Sequence, residues 1–288
     1  IFLSFWKRRF LIVSITSFAA ILSVLYSLSL PNIYSSKALL APATDEDSLS
    51  SKLSGFSALG SIAGFPISSN TASKSQEAIE RIRSFDFFSK HFLPYVKLEN
   101  IMAAKEWISE ENKLIYYERV FNKSNNKWVK NEPTLQRAFR RYKSTISITE
   151  NKMTSFITIS VQHKSPIIAK EWLDIIIYQI NETMRKIDAE TAENSIAYLN
   201  RATQSTNVQS IKEAISKLLE NQMQVLMLTA SNEYYVLKII DSPIVPEEKV
   251  SPSRALICIV GTMLGGFLSL LASLILDYRE PSTKLSHK

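Results

Sequence analysis

The stretch Ile239-Ile240-Asp241-Ser242-Pro243-Ile244-Val245-Pro246-Glu247-Glu248-Lys249-Val250-Ser251-Pro252-Ser253-Arg254 leads into an uncharged run, Ala255–Leu276, of 22 residues. A helix needs ~20 apolar residues to cross a bilayer, so the run reads as a transmembrane helix. Arg254 stands at one edge and Asp277 at the other. Pro243, Pro246 and Pro252 precede it at close spacing. Proline fixes φ, removes an N–H donor and pushes the residue before it toward extended geometry. This membrane-proximal segment is therefore expected to be stiff and non-helical, a rod joining something folded to something embedded.

A second apolar run lies at the other end. Phe10–Ser36 carries no charge, and Leu11–Leu30 is strongly apolar. Lys7, Arg8 and Arg9 form a basic flank like that of a secretory signal. The run exceeds the ~7–15 residues of a signal core, however, and Pro31-Asn32-Ile33-Tyr34 is no small-x-small cleavage site. It reads as a retained span. The expected layout is a tail at 1–10, a transmembrane helix at 11–30, an outer domain at 31–254, a second transmembrane helix at 255–276 and a tail at 277–288. The chain opens on Ile1, so its natural start is expected further upstream.

Net charge is +7, yet residues 31–254 hold 28 Lys and Arg against 25 Asp and Glu. Most of the excess therefore sits on the two short ends. A nucleic-acid protein concentrates its charge on the folded domain, so no nucleic-acid partner is expected. Lys7, Arg8 and Arg9 precede the first span, and Arg279, Lys284 and Lys288 follow the second. Basic residues near span ends stay on the cytoplasmic side, while long loops translocate largely regardless of charge. Both termini are expected in the cytoplasm of a bacterium, with the two spans in its inner membrane and the large domain in the periplasm. The single cysteine, Cys258, lies inside the second run, so the outer domain has no disulfide and rests on its core alone.

Along the chain, Ile33–Ala41 has the composition of a strand. Thr44–Ser75 is rich in Ser, Gly and Ala and reads as a loop, although its small apolar residues also suit a crowded interface. Ser75–Leu93 reads as an amphipathic helix, with Ile79, Ile82, Phe85, Phe88 and Phe92 at spacings of three and four. Ala103–Phe121 reads as a second helix, with Trp107, Leu114, Tyr117 and Phe121 on one side. Asn122–Glu132 is polar and turns at Asn125-Asn126. Pro133–Lys143 reads as a third helix with Pro133 in its first turn. It carries Arg137, Arg140, Arg141 and Lys143. The bland reading of that patch is a solvated face; the functional one is a contact for an anionic glycan or phosphate.

Thr145–Thr149 and Phe156–Val161 alternate around a turn at Glu150-Asn151-Lys152, which predicts a hairpin with one buried face. Ser165 then caps a helix that Pro166 opens. Its apolar stripe, Ile168, Trp172, Ile175, Ile176, Ile180, Met184 and Ile187, thins beyond Asp188. The pattern runs to about Ala202, breaks at Thr203–Asn207 and resumes through Ile211, Ile215, Leu218, Leu219, Val225 and Leu226. At 1.5 Å per residue, Pro166–Ala202 would be ~55 Å long. Such an arm, about 166–230, should project from the domain and find partners on another copy. Tyr234–Ile240 reads as the last strand, paired with Ile33–Ala41 beside the central hairpin. The fold class is α+β: a mixed sheet near the membrane with a long protruding helical hairpin, plus two transmembrane helices.

No catalytic constellation is present. His91, His163 and His287 are far apart and read as surface residues. No P-loop, nucleophile elbow or HExxH pattern occurs, and Glu110-Glu111 and Glu247-Glu248 read as solvated pairs. The chain is read as a non-enzyme with no cofactor and no metal.

In combination these features resemble the polysaccharide co-polymerase family, the Wzz-type chain-length determinants. The residues that carry the resemblance are Pro243-Ile244-Val245-Pro246, Pro252-Ser253-Arg254, and Gly261, Gly265 and Gly266. The tract Leu53–Gly64 and the helix near Ala78–Phe88 are also similar. About a dozen residues follow the second run, so the tyrosine-kinase domain of some relatives is not expected. The resemblance implies a ring of identical subunits in the inner membrane. The ring would set how long a surface glycan, such as the O-antigen of lipopolysaccharide, grows on its lipid carrier. A separate membrane polymerase is the implied partner, with the lipid-linked glycan as a further contact, and the mechanism would be scaffolding. The competing reading, a two-span receptor with a periplasmic ligand domain, requires an output domain after the second span.

The two spans also suggest how they pack. Gly261 and Gly265 stand four apart and so share a helix face. Ala19, Ser23 and Ser27 make a similar small-residue stripe on the first span and are the natural partner surface.

Overall fold

The computed structural model describes residues 9–43, 71–231 and 234–279. Of the loop expected over Thr44–Ser75, residues 44–70, with the tract Leu53–Gly64, lie outside them, as do Lys7, Arg8, Lys284, His287 and Lys288, while its end from Thr71 on is helical. Contacts divide the chain into two units, 1–34 with 248–288, and 35–247. The first helix, α1 (Arg9–Ser29), covers the first apolar run. Strand β1 (Ile33–Pro42) follows, burying Ser36, Ala38 and Leu40 and exposing Lys37 between the first two.

The helix expected over Ser75–Leu93 starts earlier and is broken. α2 (Thr71–Ile82) ends just before Ser84, which is extended at ψ 154°. Ser84 Oγ accepts the Phe87 N–H at 3.1 Å, a fresh N-cap that satisfies one donor of a new helix start. α3 (Phe85–Phe87) then runs into a π-helical turn, Phe88–Phe92, and a 3₁₀ turn, Leu93–Tyr95, that contains Pro94. Ile79, Ile82, Phe88 and Phe92 are buried as the spacing predicts, whereas Phe85 is 41 % exposed.

The helix expected over Ala103–Phe121 does not form. α4 (Leu98–Met102) stops at Ala103, and β2 (Ala104–Ile108) pairs antiparallel with β3 (Lys113–Tyr116), Trp107 facing Leu114. Asn112 turns the hairpin at φ 47°, a left-handed conformation that asparagine tolerates. Trp107, Ile108, Ile115 and Tyr116 are residue types that pack well on a pleated surface. The expected turn at Asn125-Asn126 is present, with Asn126 at φ 50° between β4 (Phe121–Asn122) and β5 (Lys127–Trp128). α5 (Leu135–Thr145) is the basic helix. Its N-cap residue is Thr134, so Pro133 stands just before the helix instead of opening it.

The central hairpin forms as the alternation predicts. β6 (Ile146–Glu150) pairs with β7 (Ile157–His163), Ile148 opposite Ile159. Ile157, Ile159 and Val161 are fully buried. α6 (Pro166–Ser205) then runs for 40 residues, with Ser165 Oγ accepting the Ile168 N–H. At 1.5 Å per residue it is ~60 Å long. Trp172, Leu173, Ile176, Ile177, Ile180 and Met184 are buried, and past Met184 only Ala192 is. α7 (Gln209–Ser231) packs back against α6 and buries Ile215 and Thr229.

β8 (Leu237–Asp241) completes the sheet, in the order β6-β7-β1-β8. β1 and β8 pair antiparallel, Leu40 with Ile239 and Pro42 with Leu237, which is the pairing expected of the first and last strands. Under the sheet, aromatic rings from α3 onward meet: Phe88 and Tyr142 centroids are 5.0 Å apart, Phe92 and Tyr142 4.8 Å, Phe92 and Trp172 5.6 Å. Tilted and edge-on pairs at such spacings are the arrangement that ring quadrupoles favour. The Pro243–Pro246 segment is non-helical, and Ser36 Oγ donates to the Ile244 carbonyl at 2.8 Å.

In the first unit, β9 (Lys249–Ser251) pairs with Ile33 and Tyr34 of β1. α8 (Arg254–Arg279) covers the second apolar run and packs along α1. Both helices are long and apolar enough to cross a membrane, and only 6 % and 11 % of their apolar windows is buried. Helices inside a water-soluble core would be mostly buried; these present Leu, Ile, Val and Phe outward.

Candidate functional site

The α1–α8 seam is built from small residues. A Cβ added at Gly261 would overlap the Ser23 Cβ, and one at Gly265 would overlap the Ala19 Cβ. Gly266 is looser, its nearest neighbour being Thr16 Cγ2 at 4.0 Å. Ser27 is 1 % exposed, so all three residues of the predicted stripe face the seam or are buried. Close backbone approach of this kind replaces the hydrophobic drive that lipid removes. Sequence reading missed Thr16 and Ser269, whose hydroxyl oxygens lie 3.4 Å apart across the seam, and the buried Ser273. Each hydroxyl of that pair also donates within its own helix, Thr16 to the Ile12 carbonyl and Ser269 to the Gly266 carbonyl. Thr16 and Ser269 continue the seam in small-residue steps of three and four, the signal that would have found them.

Just below, Asn32 Oδ1 accepts from Arg254 Nη2 at 3.1 Å and from Lys249 Nζ at 3.4 Å. Arg254 and Pro252, read from sequence as the mouth of the second span, thus stand beside the end of the first.

In the second unit the four basic residues of α5 do not converge. All are exposed. Lys143 lies over the Phe139 ring at 5.8 Å and lines a cleft together with Arg83, which follows α2. Arg141 instead faces His163 and Lys164, whose pKa values are held down mainly by burial and further by its charge. The predicted patch is therefore split between two faces of one helix, and Arg83 was missed because it lies 60 residues from Lys143 in the chain.

His163 is not the surface residue its sequence suggested. It is 6 % exposed, its ring 4.7 Å from that of Trp172. Nδ1 accepts the Ser165 N–H at 3.0 Å and Nε2 stands 3.0 Å from the Asn100 carbonyl. Only the neutral Nε2–H tautomer satisfies both partners. Burial pushes the imidazole down to about 4. Asn181, equally unannounced, ties α6 to β8: its Nδ2 donates to the Ile177 and Leu237 carbonyls, and its Oδ1 accepts from the Val236 and Leu237 N–H groups. Among the described residues no group of three His, Cys, Asp or Glu stands close enough to hold a metal ion.

Residues 1–92 match the family model of the chain length determinant protein, Wzz. Over this third of its length the chain is similar to the chain length determinant family. That Wzz match spans α1, β1, α2 and the aromatic turn after them. Residues 199–277 match a second model, the G-rich domain on putative tyrosine kinase, which spans α7, β8, β9 and nearly all of α8. The two apolar helices, together with the Wzz match, mark a membrane-anchored chain. Two solved structures are similar. One, a full-length bacterial polysaccharide co-polymerase, is 12 % identical with TM-score 0.46, covering 99 % of both chains. The other, a fragment of WzzB, polysaccharide co-polymerase from Salmonella Typhimurium, is 14 % identical with TM-score 0.35, covering 76 % of this chain and 100 % of that one. No curated protein matches the chain.

Proposed function

We propose that this chain regulates the length of a surface polysaccharide, of the O-antigen type in lipopolysaccharide, as a homo-oligomeric scaffold in the bacterial inner membrane. The observation that carries the reading is the Wzz match over residues 1–92, which reaches from the first apolar helix into the aromatic core. Residues 31–254 are assigned to the periplasm and both termini to the cytoplasm. The chain works beside a separate glycan polymerase and performs no bond-making itself.

The arm supports the homo-oligomer. Tyr198, Ile211, Leu218, Met223 and Met227 on α6 and α7, and Val208 between the helices, are each 47 % exposed or more. Large apolar residues left uncovered along two adjacent helices favour burial against another copy. The first two predicted site groups keep their roles here: the Gly261/Gly265 seam holds the two spans together, and Pro243, Pro246 and Pro252 form the stiff segment that precedes the second span.

Deletion of the gene, followed by a gel of surface polysaccharide lengths, tests the reading. The expected result is loss of a preferred length, restored by the wild-type chain. An unchanged distribution after deletion rejects it.

A further inference from the structure

The cleft that Lys143 lines has a volume of about 230 Å³. Its floor is apolar and rigid. Ile82 and Tyr142 are 0 % and 1 % exposed, and the Tyr142 hydroxyl donates to the Ile82 carbonyl at 2.9 Å. Ile146 and Ile148 of the edge strand β6 form one wall. Arg83, Lys143 and Ser147 line the cleft from three different parts of the chain, and two of the three are cationic. None of the residues lining the cleft is acidic.

Arg83 is fixed at this cleft. Its Nη1 donates to Glu80 Oε1 at 3.0 Å and its Nη2 to the Ile148 carbonyl at 3.2 Å. A guanidinium has five N–H donors, so donors remain after these two bonds. Lys143 has three, its ammonium standing over the Phe139 ring at 5.8 Å. An apolar floor with a few polar donors in the lining is the build of a small-ligand site. The volume is below the ~300–1,000 Å³ of clefts that engulf a drug-sized ligand, so it takes one ring and not a length of chain.

We infer that this cleft between Arg83, Lys143 and Ser147 binds a single pyranose bearing a carboxylate, such as a uronic acid residue of the glycan. The C–H face of the ring lies on Ile146 and Ile148. The carboxylate takes the free donors of Arg83 and Lys143, charge-assisted bonds about twice as strong as neutral ones. The inference rests on the glycan-length reading, which supplies the source of such a residue. It replaces the four-residue patch on α5 by a site to which that helix contributes Lys143.

Saturation-transfer NMR on the purified full chain in detergent tests it, with D-glucuronate as probe. D-glucose and inorganic phosphate serve as the ring without the charge and the charge without the ring. Lys143→Glu and Arg83→Glu each reverse one charge of the cleft; both residues are exposed, so the core is untouched. The expected result is transfer to glucuronate, a several-fold weaker signal for glucose, and loss of the glucuronate signal in both variants at unchanged melting temperature. Three outcomes overturn the site: no transfer in the wild type, transfer retained in both variants, or full displacement by phosphate with none by glucose. Each leaves the deletion result standing, so failure of the cleft is separable from failure of the glycan-length reading.

Discussion

Tyr235 donates its hydroxyl proton to Asp188 Oδ2 at 2.6 Å, and Lys74 Nζ donates to the same oxygen at 2.7 Å. The three residues come from α2, α6 and the turn before β8. Asp188 stands one turn past Met184, where α6 ceases to be buried. The cluster therefore holds the long helix at the point where it leaves the sheet. Burial works to lower the Lys74 pKa, but the bonds to Asp188 and Tyr235 outweigh it and leave it raised. Burial, helped by the Asp188 bond, pushes Tyr235 up to about 12.

Asp188→Ala should cost about 1 kcal/mol of stability, the value of a charge-assisted bond discounted for the 43 % exposure of Lys74. Asp188→Asn, which still accepts one bond, should lose less. Denaturant midpoints of the full chain in detergent check the order of the two variants; equal midpoints for wild type and Asp188→Ala would remove the cluster from the account.

Asn181→Ala should be more damaging. It strands two backbone N–H groups and a carbonyl at the α6–β8 junction, each worth ~1–3 kcal/mol when buried and unpaired. A loss of ~3 kcal/mol or more is expected, with early hydrogen exchange at Val236 and Leu237 as the local readout.

His163 predicts an acid limb. Its folded pKa is depressed to about 4 from 6.5, so between these values the unfolded chain binds the extra proton. Stability is fully present above the unfolded value and falls as pH drops toward the folded one. The loss should reach ~2–3 kcal/mol near pH 4.5. His163→Gln, which carries no titrating group, should be less stable at neutral pH and show a shallower acid limb. An identical limb in that variant would assign the acid sensitivity elsewhere.

Gly261→Leu with Gly265→Leu should insert normally, since leucine favours the bilayer. The new side chains collide with Ser23 and Ala19, so the two helices must separate. The expected outcome is a polysaccharide length distribution shifted toward the unregulated pattern. Gly266→Leu, with only Thr16 at 4.0 Å, should keep the wild-type pattern and serves as control. If the double variant is inserted and retains wild-type lengths, the seam has no regulatory role.

Topology is checked by a reporter active only in the periplasm. Fused after Glu132 it should be active, and after Lys288 silent, because the basic residues flank the outer ends of the two apolar runs. The reverse pattern would invert the localisation.

Where a structure depends on neighbours in the chain, the sequence alone determined it. The two apolar helices follow from run length, the β6–β7 hairpin from period-two alternation, and the start of α6 from Ser165-Pro166. Even the thinning of burial past Met184 was visible in the stripe. Tertiary structure alone decided what depends on partners distant in sequence. Trp107, Leu114, Tyr117 and Phe121 satisfy a helical spacing, yet 104–116 is a hairpin, because aromatic and β-branched residues suit either period and the left-handed turn at Asn112 selects the strand. Ser84 interrupts a strongly periodic helix because its hydroxyl can cap either a turn or nothing, and only packing around Phe88 says which. The burial of His163, the Asn181 bonds across 55 and 56 residues, and the meeting of Arg83 with Lys143 have no local signature at all. A single polar side chain on a helix or strand end carries no period. Its role is set by the backbone groups that the rest of the fold brings within 3 Å, and those are known only once the chain has closed on itself.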